Sequence, residues 1–145
     1  HAPGPGVDRL VESLEHAGVA PGANVYAELG TTWFLALRRP VEAAHVLGKL
    51  LAAVGPDRIL WGTDSVWYGS PQPLIDAFRA FQIPERMQEE RGYPALTDDL
   101  KERILSRNAR ALYGIDDAAL RRTDDRDTWI DDIAPAARAT VERNG

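Results

Sequence analysis

The stretch DRILWGTDSVWYGSPQP, residues 57–73, decides how this chain is read. Ile59, Leu60 and Trp61 are apolar on both faces of an extended segment, as a parallel strand covered by helices must be. Gly62, Thr63 and Asp64 follow at once, and then Trp67, Tyr68, Gly69 and Pro71. A strand that only fills a core has no need of a carboxylate at its tip. In α/β folds ligands bind beyond the carboxyl ends of the strands, so Asp64 emerges on the face where chemistry is done. A carboxylate there can ligate a divalent ion and can accept a proton from bound water. Gly62 leaves room for close approach, and Thr63 could hydrogen-bond the backbone or orient Asp64. The competing reading is that Asp64 caps the next helix or merely begins a turn.

Working outward, the apolar periodicity places helices on either side of two strands. Val7, Leu10, Val11 and Leu14 recur at helical spacing, and Gly18 stops that helix. NVYAELG reads as a short strand over residues 25–29. Pro40 opens a second helix with Val41, Ala44, Leu47, Leu51 and Val54 on one face, and Gly55 ends it. After the RILWG strand comes a helix with Leu74, Ile75, Phe78 and Phe81 as its buried stripe. Beyond Pro84 the chain reads as helical throughout. PERMQEERG forms a short charged helix, and Thr97 caps a longer one carrying Leu100, Ile104, Leu105, Ala109 and Leu112 before Gly114. The charged tail, residues 117–145, reads as a surface helix broken near Pro135, with Trp129, Ile130 and Ile133 available for docking. The order helix, strand, helix, strand, helix gives parallel strands and an α/β architecture.

Composition bounds the function. Among 145 residues, 44% are hydrophobic and 27% charged, which suits one globular domain with a real core. The net charge of −5, with no Lys/Arg cluster, argues against a nucleic-acid partner. No run approaches the roughly 20 apolar residues of a membrane span. The absence of cysteine excludes disulfides and thiolate metal sites, and fits a reducing, cytoplasmic setting. Two parallel strands alone leave unpaired edges, and the chain opens on His1 rather than Met. The expectation is therefore a C-terminal portion of a larger α/β protein.

Other residues near strand tips qualify as candidates. His1 stands where the tip of a preceding strand would fall, and a neutral imidazole there could bind metal or act as acid and base; it could equally be a cut-site accident. Glu28, at the tip of NVYAELG, needs a partner, for which Arg58 or a metal-bound water would serve; a structural salt bridge is the favoured role. Trp33, Trp67 and Tyr68 follow strand tips, in loops where a substrate pocket would be built, or they form a lid over the rim. His16 and His45 lie on helices and suit solvent or packing roles.

These residues carry a resemblance. DRILWGTDSVWYGSPQ is similar to the eighth-strand signature of the amidohydrolase-related metal-dependent hydrolases, the group that includes aminocarboxymuconate-semialdehyde decarboxylase and 2-pyrone-4,6-dicarboxylate lactonase. NVYAELGTT resembles the seventh strand of that family. LKERILSRNARALYGID resembles its closing helix, with Asn108 and Ala109 matching a recurring Asn-Ala pair. The similarity covers residues 1–116, leaving 117–145 as a helical tail. It implies the C-terminal part of a (β/α)8 barrel, about strands six to eight with flanking helices, holding one divalent ion, usually zinc. By the match Asp64 would bind or face the metal, and His1 would fall at the sixth-strand histidine that polarises substrate or water. Trp67, Tyr68 and Trp33 would suit a flat or apolar carboxylic acid. Hydrolysis and nonoxidative decarboxylation share this metal face. The first-strand His-x-His pair and the fifth-strand ligand have no counterpart, so these residues alone are expected to be inactive. Barrels of this group commonly pair as homodimers. The rival expectation is a non-catalytic α/β interaction module in which Asp64 is an ordinary cap.

Overall fold

In the computed structural model, which describes residues 7–118 and residue 120, most helices lie where the apolar periodicity places them. Helix α1 (Val7–His16) buries Val7 and Leu14, and the chain turns at Gly18, whose backbone is left-handed. Helix α3 (Pro40–Val54) is the centre of the core. It buries Ala43, Ala44, Val46, Leu47, Gly48, Leu50, Leu51 and Val54, a surface wider than a single stripe, while Val41 stays exposed. Helix α5 (Gln72–Ala80) buries Leu74 and Phe78, and α6 (Glu85–Arg91) is the short charged helix. Helix α7 (Asp98–Glu102) is capped by Thr97, whose hydroxyl accepts the Leu100 N–H.

Two helices were not expected. Helix α2 (Gly30–Ala36) begins directly after the first strand, and the one-turn α4 (Ser65–Tyr68) begins directly after Asp64. Beyond α7 the chain continues as a π-helical turn, Arg103–Arg107, and then as α8 (Asn108–Tyr113). The chain divides into two compact units between Ala109 and Arg110. In the second, the Arg110 guanidinium pairs with Asp117. The expected tail helix and its Trp129, Ile130 and Ile133 lie outside the described residues.

The two strands pair in parallel but are shorter than the apolar runs suggest. Strand β1 is Ala27–Glu28 and β2 is Ile59–Leu60, with Ala27 opposite Ile59 and Glu28 opposite Leu60. Local hydrogen bonds claim the remainder. Val25 N–H bonds back to the Ala23 carbonyl at 2.7 Å, and Pro56–Arg58 form a 3-10 turn. Leu29 N–H still reaches the Leu60 carbonyl at 3.0 Å before α2 begins. Among the described residues the sheet has these two strands, so the architecture is α/β, with far more helix than strand. No helix among the described residues is long and apolar enough to cross a membrane.

Within the first unit, Asn108 secures β2. Its buried side-chain amide donates to the carbonyls of Pro56 and Ile59, both at 2.8 Å. Nearby, the buried Lys101 ammonium donates to the Arg79 carbonyl at 2.5 Å, joining α7 to α5. Elsewhere, Tyr93 seats the segment after α6 on α3. Its ring occupies the space where a Cβ on Gly48 would lie, and its hydroxyl is 3.0 Å from His45 Nδ1. His45 thus has a packing role. Burial pushes its imidazole below the ordinary value, and the Lys49 and Arg91 cations push the same way, against an opposing pull from Asp8.

Two outcomes follow from these contacts. Asn108→Ala leaves two carbonyls without donors and is expected to lower unfolding free energy by about 2–3 kcal/mol in urea titrations; a loss below about 0.5 kcal/mol would show that the amide does not secure β2. For His45 the folded state favours the neutral ring, so the unfolded chain takes up its proton first as pH falls through about 6.5. Between pH 7.5 and 5.5 the native protein should therefore lose more stability than His45→Gln, and parallel losses would contradict the shift.

Candidate functional site

The carboxyl ends of β1 and β2 bring two acids together. Glu28 is the last residue of β1, and its Oε1 accepts the Gly30 N–H at 2.8 Å. That carboxylate lies across the end of the neighbouring strand. A Cβ on Gly62 would fall 1.3 Å from Glu28 Oε1, so no side chain fits at 62 while Glu28 holds this position. Gly30 is open for the same reason: a Cβ there would lie 2.7 Å from Glu28 Oε2 and 3.2 Å from Asp64 Oδ2. The two carboxylates converge on one glycine.

Asp64 follows β2 after three residues and has φ 50°, ψ 29°, the only non-glycine residue with positive φ among those described. Aspartate tolerates this left-handed conformation better than most side chains. Asp64 stands at the N-cap position of α4, yet its side chain makes no cap hydrogen bond. The capping role is therefore not the one it plays. Its Oδ2 instead accepts two bonds from Thr31, the backbone N–H at 3.0 Å and the hydroxyl at 2.5 Å. The Thr63 hydroxyl, expected either to bond the backbone or to orient Asp64, does the former: it accepts the Ser65 N–H at 3.3 Å. Thr31 escaped the sequence reading because it lies 33 residues from Asp64 and falls in a helix that reading did not contain.

The aromatic candidates separate. Trp33 is 1% exposed, on α2 rather than in a loop. Its indole N–H donates to the Leu74 carbonyl at 3.1 Å, and its ring meets Phe78 and Phe81 edge-on at 5.2 and 5.5 Å. The expected place at a pocket mouth is thus corrected: a large ring with its one donor satisfied is a core anchor. Tyr68 lies on α4, stacked on Phe34 of α2 at 4.0 Å, with its hydroxyl 3.4 Å from Thr31 Oγ1. Trp67, also on α4, is 79% exposed. Arg58 does not pair with Glu28. Its guanidinium donates to the Gly22 carbonyl and the Tyr26 hydroxyl and lies over the Tyr26 ring, because the 3-10 turn carries it away from the strand tips. His1 lies outside the described residues.

Chemically the arrangement offers two oxygen acids on an open face. Cavities of about 320 Å³ beside Tyr93 and about 360 Å³ beside Thr32 and Glu42 lie among the helices, and neither is lined by Glu28 or Asp64. Among the described residues no group of three or more His, Cys, Asp or Glu side chains could hold a metal ion. A stable site needs three or four protein ligands, so Asp64 and Glu28 do not complete one by themselves.

Gly62→Ala tests the cradle. The added methyl must displace Glu28, with an expected cost of about 1–3 kcal/mol in chemical denaturation. Glu28→Ala in the same chain should recover most of that loss, and strictly additive losses would show that the two positions do not meet.

No curated protein and no solved structure matches the chain. The family described as Amidohydrolase matches residues 1–115, which include both strands, Glu28, Thr31, Asp64 and the Asn108 tie, and the chain belongs to that family.

Proposed function

We propose that this chain is part of a metal-dependent hydrolase acting on a small carboxylic or carbonyl substrate, with Asp64 as its proton-handling carboxylate. The reading rests on one observation: Asp64 lies just beyond a buried parallel strand with Oδ2 held by Thr31, while Oδ1 has no hydrogen-bond partner among the described residues. Membership of the amidohydrolase family supports hydrolysis and a divalent ion. In this reading β1 and β2 are neighbouring staves, the seventh and eighth, of a (β/α)8 barrel. Residues 1–116 belong to that barrel and 117–145 are an appended tail.

An ion, with zinc the expected one, would take Asp64 as one oxygen ligand and needs further ligands beyond those described. When bound, such an ion supplies Lewis-acid polarisation of a carbonyl and a more acidic water. Asp64 itself can accept the proton of the attacking water and return it to the leaving group. Trp67 and the exposed edge of Tyr68 would contact the substrate, since both follow Asp64 on α4. His1 is retained as a second acid–base candidate on the family match alone.

Hydrolysis of p-nitrophenyl acetate by the whole zinc-loaded enzyme of which this chain is proposed to be part tests the assignment. Asp64→Asn keeps the shape, removes the base, and should lower kcat by about a hundredfold or more, with zinc content measured alongside. Undiminished hydrolysis in that variant would sink the role of Asp64. Release of carbon dioxide from an aromatic carboxylic acid, without ester cleavage, would move the reading to decarboxylation.

A further inference from the structure

We propose that Thr31 is the positioning residue for Asp64, fixing the carboxylate so that Oδ1 alone faces the reacting group. The inference rests on the reading of Asp64 as the proton-handling carboxylate.

Asp64 is exposed, and an unrestrained exposed aspartate samples several rotamers. Here two donors from one residue converge on one oxygen, Thr31 N–H at 3.0 Å and Thr31 Oγ1 at 2.5 Å from Oδ2. Hydrogen bonds to an ionised acceptor are about twice as strong as neutral ones. A carboxylate oxygen has two lone pairs, so both on Oδ2 are engaged and Oδ1 is left for chemistry.

Thr31 can impose this geometry because it is itself fixed. It is the second residue of α2, which begins where the Leu29–Leu60 hydrogen bond ends the strand pair. Two residues on, Trp33 is locked in the core against Phe78 and Phe81. Tyr68 adds a further restraint. A carboxylate only accepts, so the Thr31 hydrogen goes to Asp64, and the Tyr68 hydroxyl 3.4 Å away is left to donate to Thr31 Oγ1. A chain of donors thus runs from Tyr68 through Thr31 to Asp64, backed by the stacking of Tyr68 on Phe34.

The test measures the position of Asp64 directly and its consequence separately. Three-bond couplings across the Asp64 Cα–Cβ bond should report one rotamer in the native chain and averaged rotamers in Thr31→Val. Thr31→Ser, which keeps the hydroxyl, should restore the single rotamer, and Thr32→Val on the same helix should leave it unchanged. In the whole zinc-loaded enzyme, Thr31→Val should lower kcat for p-nitrophenyl acetate by roughly tenfold to a hundredfold with KM little altered, and Thr31→Ser should recover the rate. Averaged couplings in the native chain, or an unaltered rotamer in Thr31→Val, would overturn the proposal. So would a lower thermal midpoint in Thr31→Val with no recovery by serine, which marks a structural role only. Full hydrolysis by Asp64→Asn, or none by the whole native enzyme, counts instead against the reading of Asp64 and leaves the couplings to decide the positioning.

Discussion

The parallel pairing of Ala27–Glu28 with Ile59–Leu60 is the constraint on which the rest of this structure depends. It sets the register that carries Glu28 to the end of β1 and delivers Gly62 opposite its carboxylate. Alternation along a strand has period two, so a slip of one residue would send Glu28 to the other face and Ala27 into its place. The pair is short, and it is secured from outside itself. Leu29 extends it by one bond to Leu60, while the Asn108 amide donates to the carbonyls of Pro56 and Ile59. The buried Ile59 side chain contributes on the order of 2 kcal/mol of burial free energy. A strand of two residues is therefore held by side chains on its flanks as much as by its ladder.

Asp64 illustrates a second constraint, a local cost accepted at one position. A left-handed backbone at a non-glycine residue costs roughly 1 kcal/mol. The surrounding bonds over-determine it. Trp67 N–H bonds to the Asp64 carbonyl at 2.9 Å, Gly69 N–H to Ser65 at 2.8 Å, and Thr31 grips the side chain. Such residues gather where geometry matters more than stability. Asp64 would cap α4 with ordinary extended backbone, and it does not. The side chain is turned from α4 to Thr31 at the start of α2, beside Gly30, where the Glu28 carboxylate of β1 also converges.

Much of this fold could be read from the residues, and the gaps have physical causes. Helices α1, α3, α5 and α6 and the Thr97 cap follow from apolar spacing and terminal signals. Strand lengths did not, because an apolar run says what is buried but not where local turns take the backbone bonds. Helix α2 was hidden by its opening Gly-Thr-Thr, poor helix formers that are tolerated because α2 packs Trp33 into the core. That same burial undoes the expectation for Trp33: an aromatic after a strand is a pocket wall or a core anchor, and only tertiary contacts decide which. At the site, Asp64 was legible as an acid ending a buried strand. Its grip was not, since no local pattern links Thr31 to a residue 33 positions away. Glu28 was legible as an acid needing a partner, but the partner is the Gly30 backbone rather than Arg58.

The combination at the strand ends answers why an acid should close an apolar run. A buried carboxylate would carry a desolvation cost of several kcal/mol unless fully paired, and a fully exposed one on a loose loop would have no fixed position. Placing Asp64 four residues past Leu60 separates the two demands. Ile59 and Leu60, buried beside α3 and the π-helical turn Arg103–Arg107, fix the backbone to which the acid is attached. Gly62 and Thr63 carry the chain out of the layer, and the carboxylate arrives in solvent with one oxygen already engaged. Glu28 approaches from the neighbouring strand through a gap that exists only because positions 30 and 62 lack side chains. Rigidity is inherited from the core and reactivity from the solvent, and the glycines are the joint between them.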